Sequence, residues 1–288
     1  MNLVRSLGKT LLIALPLVLV ASCAVQQTRN ATSVVNYLYP DTKDPVVQPS
    51  VPVLTLPIRV GIAFVPGERG QRSGASLYGA TQTGGISEQE RLAVMNEVAD
   101  HFKQYDFVED IQIIPSAYLT PQGGFQNLDQ IRTMYGIDVI ALLSYDQAQF
   151  TDDGAWSLTY WTIVGAYVVE GTKNSTHTMV DAAVFDIPSR KMLFRAPGVS
   201  RIDGRSTPVD LSLELRQDRE KGFEEASRDM IANLDRELTT FKARVKERPE
   251  EYKVVHSAGY TGGGAVDGLT AAIALLIGGL ALWMRRRA

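Results

Sequence analysis

Cys23 is the only cysteine among the 288 residues. A single thiol forms no intramolecular disulfide and no CxxC metal site, so its remaining chemistry is that of a thiolate nucleophile. Its setting is specific. Arg5 and Lys9 precede an apolar run from Leu11 to Val20, and Val20, Ala21 and Ser22 stand directly before the cysteine. A charged start, a short apolar segment and small residues before a cut site describe a secretory signal peptide. The run is too short for a comfortable membrane span, and Pro16 weakens it further.

A second grouping lies at the other end. Gly262, Gly263 and Gly264 are followed by an uncharged stretch from Gly268 to Met284, then by Arg285, Arg286 and Arg287. As a helix that stretch would be roughly 26 Å long, the short end of a transmembrane span. The arginines predict a cytoplasmic C-terminus, and Trp283 stands where an interfacial anchor belongs. Each glycine weakens a helix by about 1 kcal/mol relative to alanine, so the membrane entry should unwind easily. Asp267, costly at depth, is tolerable at the interface.

Elsewhere the chemistry is sparse. His101, His177 and His256 are far apart in sequence. His177 and Asp181 could share a strand face or a metal, but a solvated strand histidine is the expectation, and no metal site is expected. His101 reads as a partly exposed helix residue. The segment GERGQRSGASLYG lacks both the GxxxxGK[ST] and GxGxxG patterns and reads as a mobile loop. Neither a G-x-S-x-G elbow nor HExxH is present. The apolar stretch from Trp156 to Val169 is expected in the core, with a partner or membrane-surface patch as the alternative. A net charge of −3 with no basic stripe disfavours nucleic acid.

The VASC sequence ending at Cys23 resembles the lipobox of bacterial lipoproteins. The resemblance implies that Cys23 becomes the first mature residue, with diacylglycerol on its thiol and an acyl chain on its amine; no other cofactor is expected. It also implies that Ala24 directs export to the outer membrane, through lipoprotein-processing enzymes and the sorting machinery. Several acyl chains make a stable anchor, each buried methylene contributing about 0.8 kcal/mol. The triplet of glycines, apolar helix and arginine cluster resembles the GlyGly-CTERM sorting signal, whose processing enzyme is rhombosortase, an intramembrane serine protease. Together the two termini resemble those of rhombotarget lipoproteins. The serine nucleophile then belongs to the partner protease, and the resemblance assigns no activity to the mature domain.

Between the termini, the elements predict an α/β domain with a mixed sheet and packed helices, α+β being the alternative. Leu56–Pro66 reads as a first strand, with Ile58, Val60, Ile62 and Phe64 in partial alternation. Ser87 and Glu90 form a capping-box pattern before Leu92, Met95, Val98 and Phe102 at helical spacing. A strand around Val108–Pro115, a helix over Asn127–Tyr135 ended by Gly136, and a buried strand over Asp138–Ser144 follow. Met179–Ile187 and Lys191–Pro197 read as a hairpin, and Phe223, Ala226, Met230, Leu234, Leu238, Phe241 and Val245 form one stripe of a long helix ending before Pro249. This order resembles the small α/β domains of envelope-assembly lipoproteins of the curli-secretion type, an analogy of fold alone.

The expected organisation is a signal peptide over 1–22, a lipidated tether over 23–52, a periplasmic domain over 53–248, a linker over 249–261 and a sorting signal over 262–288, with its membrane helix at 268–284. The expected function is that of an outer-membrane-anchored lipoprotein, facing the periplasm or cell surface after a transient inner-membrane stage. Its domain would be a non-enzymatic binding or assembly module with membrane lipids and an envelope protein as partners. The alternatives are a periplasmic enzyme with dispersed catalytic residues and an uncut tether between the two membranes.

Overall fold

Unbroken apolar runs in neighbouring strands, Ile62 to Val65, Val139 to Leu143 and Ala182 to Phe185, build a sheet buried on both faces. The computed structural model describes residues 26–40, 50–67, 86–153, 172–206, 210–258 and 260. The strands are β1 (Gln26–Ala31), β2 (Val53–Leu56), β3 (Ile58–Phe64), β4 (Val108–Ile114), β5 (Val139–Asp153), β6 (Thr172–Asp186), β7 (Lys191–Ser206) and β8 (Lys253–His256). Four α-helices occur among the described residues: α1 (Val34–Leu38), α2 (Glu88–Phe102), α3 (Gly124–Tyr135) and α4 (Leu211–Glu247). The main sheet has the order β4-β3-β5-β6-β7. Strand β3 is parallel to β4 and β5, whereas β5, β6 and β7 are antiparallel neighbours. The domain is therefore a single mixed α/β unit.

The pleat sorts side chains between two layers. Val139, Ala141, Leu143 and Tyr145 of β5 join the core under α2 and α4, with Met95, Val98, Phe223, Met230 and Leu234 from those helices. Ile140 and Leu142 point the other way and pack with Leu38 of α1 and Leu128 and Ile131 of α3. Burying each such aliphatic side chain contributes about 1.5–3 kcal/mol, which locks the register, since a one-residue slip would exchange the faces.

Local signals behave as the sequence suggested. Ser87 Oγ accepts from the Glu90 amide at 3.2 Å, and Glu90 Oε2 accepts from the Ser87 amide at 2.7 Å, completing the capping box of α2. Gly136 ends α3 in the left-handed region, at φ 65°. The β6–β7 turn is closed by Asp186, whose carboxylate accepts from the Ser189 amide at 2.9 Å.

Several boundaries differ from expectation. Part of the proposed tether belongs to the domain: β1 pairs antiparallel with the distal part of β5, from Gln26 opposite Thr151 to Ala31 opposite Asp146. Arg29 clasps Asp146 through Nε at 2.9 Å and Nη2 at 2.5 Å, and α1 buries Val34, Tyr37 and Leu38. The proposed linker is structured as well. Tyr252 is buried, and β8 pairs in parallel with β2 to make a second, two-stranded sheet. The first hairpin strand starts earlier than expected, at Thr172, the second ends later, at Ser206, and α4 begins at Leu211. Cys23, Ala24, the lipobox residues, the stretch from Trp156 to Val169, the glycine-rich segment after Gly67 and the sorting signal lie outside the described residues. No helix among the described residues is long and apolar enough to cross a membrane.

Candidate functional site: an apolar cavity beneath the long helix

Helix α4 meets the sheet in two chemically distinct halves. Its first half lies on the distal, polar ends of β5 and β6. Gln147 Nε2 donates to Thr178 Oγ1 at 2.7 Å and to the Arg219 carbonyl at 3.2 Å. Gln149 Nε2 donates to Thr176 Oγ1 at 3.1 Å and to the Leu215 carbonyl at 2.7 Å. Tyr145 donates its hydroxyl proton to Gln147 Oε1 at 2.7 Å, and burial raises the pKa of that phenol. Buried amides are thus satisfied side by side, as a buried polar layer requires. Near the junction the helix comes very close: a Cβ on Gly198 would overlap the backbone of Ala226 and Met230.

Beyond that point the second half of α4 and helix α2 leave a cavity of about 440 Å³ above the sheet. Ile62, Ala141, Leu143 and Val184 form its floor, Val98 and Phe102 one wall, and Leu234, Leu238, Phe241 and Val245 the other. Leu54 and Leu56 of β2 and Val254 of β8 close one end. That volume lies within the usual range for small-molecule sites, which are mostly apolar and carry few polar groups. Leu238 and Phe241, on the apolar stripe of the long helix, are 8% and 7% exposed and line this space.

Among the described residues, the only charged ones in the lining are Lys242 and Lys246, both solvent-exposed, so they mark the mouth. Lys242 Nζ sits 4.1 Å from the Phe107 ring centre and 4.8 Å from that of Tyr105, within cation–π range. Its pKa is lowered by desolvation and by neighbouring Lys246, against a smaller raising effect of Asp235. Asp235 already has two partners: Tyr105 donates to Oδ1 at 2.8 Å, and His101 Nε2 is 2.7 Å from Oδ2. The aromatic and lysine rim is therefore anchored to both walls.

The histidines are not brought together. His101 is half-buried at the rim, and His177 is exposed, with Nε2 2.9 Å from Ser175 Oγ. His256 stacks on Tyr260. Asp181 pairs with Arg195 at 2.8 Å rather than with His177. No group of three potential metal ligands occurs among the described residues. The cavity itself had no local sequence signal, because nine separate elements supply its lining. The lysines at i and i+4 beside an apolar stripe were visible, but nothing in the sequence distinguished them from a solvated face. No protein-family model and no curated protein matches the chain.

Proposed function

We propose that this chain is an outer-membrane-anchored lipoprotein and a substrate of a rhombosortase-type intramembrane protease, and that its α/β domain is a non-enzymatic binding module. The Val20-Ala21-Ser22-Cys23 sequence and the glycine, apolar and arginine order of the C-terminus support the first part. One observation carries the second: a 440 Å³ cavity whose interior is apolar and whose charged residues stand only at the mouth. Such a lining stabilises a ligand by removing apolar surface from water and supplies no acid, base or nucleophile to the buried part of it.

A neutral alkanol bearing a terminal diazirine tests the module directly, applied to membranes that hold the full-length chain. After illumination, peptide mass spectrometry should find adducts on the floor and walls, in peptides carrying Ile62, Ala141 or Leu238. Ala141→Trp, which fills the floor, should remove them. Adducts confined to residues 268–284, with none in the domain, would reject the binding module.

A further inference from the structure

We infer that the cavity takes the chain of a long-chain alkanoate, with the carboxylate held at the mouth by Lys242 and Lys246. This inference rests on the binding-module reading and specifies its ligand. Three features select that chemistry. The interior is apolar from Ile62 and Leu143 at the floor to Leu238 and Phe241 on the wall, so the inserted part of the ligand carries no polar group. Polarity returns only at the mouth, and with one sign: both charged residues in the lining are lysines. They stand one helical turn apart on α4, an arrangement in which like charges repel. An anion between them replaces that repulsion with two charge-assisted hydrogen bonds.

The rim is also prepared for the anion. Stacking over Phe107 and Tyr105 holds the Lys242 ammonium beside the opening. Asp235, the nearby carboxylate, is engaged by His101 and Tyr105. Neither lysine forms an ion pair among the described residues. A cationic head would meet two ammonium groups, and a neutral head would leave their repulsion in place, so the mouth discriminates by charge. The size of the cavity suits one chain rather than the two of a bilayer phospholipid.

The test compares four diazirine probes on membranes holding the full-length chain: an alkanoate, the alkanol and alkyltrimethylammonium of equal chain length, and a phosphatidylglycerol labelled on one chain. Yields on the lining peptides are divided by yields on residues 268–284 of the same molecules, which cancels membrane partitioning. The alkanoate should exceed the alkanol by about tenfold, the scale of a hydrogen bond to a charged group. The ammonium probe and the phospholipid should stay near background. Lys242→Gln with Lys246→Gln should bring the alkanoate down to the alkanol's level while leaving the alkanol unchanged, which a collapsed fold would not do. Equal alkanoate and alkanol yields, or a phospholipid yield matching the alkanoate's, would overturn this inference and leave the binding module standing. Absence of every probe from the lining would overturn both.

Discussion

Asp218 shows at residue scale how the polar half of α4 is held. It is 6% exposed and accepts from Asn174 Nδ2 at 2.7 Å, while Asn174 Oδ1 is buried without a partner among the described residues. Burial is the main cause raising the Asp218 pKa, with Glu214 adding to it and Lys221 opposing. A carboxyl whose pKa is higher in the folded state stabilises the fold below its unfolded value and loses that contribution as pH rises through the folded value. The protonated acid no longer carries the charge that burial penalises, and neither does an asparagine amide. Asp218→Asn should therefore melt above the wild type near neutral pH, and the gap should close as pH falls toward about 4, the ordinary aspartate range. Melting curves across that range check it. A gap that widened toward acid would reverse the assigned sign.

At the scale of elements, α4 lies against β7 at Gly198, where a side chain would meet the helix backbone. A methyl group there must displace the backbone of Ala226 and Met230, not a flexible side chain. Gly198→Ala should cost about 1–3 kcal/mol, the usual penalty of overpacking, read as a fall in melting temperature. An unchanged melting temperature would mean that the helix does not press on the strand. The same interface explains what the sequence revealed and what it hid. Where α4 packs by hydrophobic contact, its stripe from Phe223 to Val245 and the apolar cores of β5 and β6 were plain. Where it packs through Gln147, Gln149, Asn174, Thr176 and Thr178, the apolar pattern gives out, and both strands and helix read shorter than they are. Strand β1 escaped for a related reason: Gln26-Gln27-Thr28-Arg29-Asn30 has no apolar face of its own and is fixed by pairing with distant β5. The parallel match of β2 with β8 joins segments almost the whole domain apart, which no local pattern reports. Capping residues and the glycine after α3 were legible because their chemistry is local.

For the whole molecule, the cavity and the termini belong to one proposal: a binding domain carried to the outer membrane by a lipid on Cys23 and freed from its C-terminal helix by a membrane protease. The domain begins almost at the proposed lipid, since β1 starts at Gln26 and pairs with β5. A mature protein anchored at Cys23 would therefore hold its sheet close to the membrane surface, with only Ala24 and Val25 between. Strand β8 ends at His256, shortly before Gly262, so an uncut C-terminal helix would hold the second, two-stranded sheet near a membrane as well. Intact-mass measurement of the protein from cells containing a rhombosortase-type protease separates these states most directly. The proposal expects a chain that starts at an acylated Cys23 and lacks Trp283 and the three terminal arginines, recovered from the outer membrane. A chain that still carries those arginines would contradict it and establish the permanent tether; an unacylated chain that retains Met1 would contradict the lipoprotein itself.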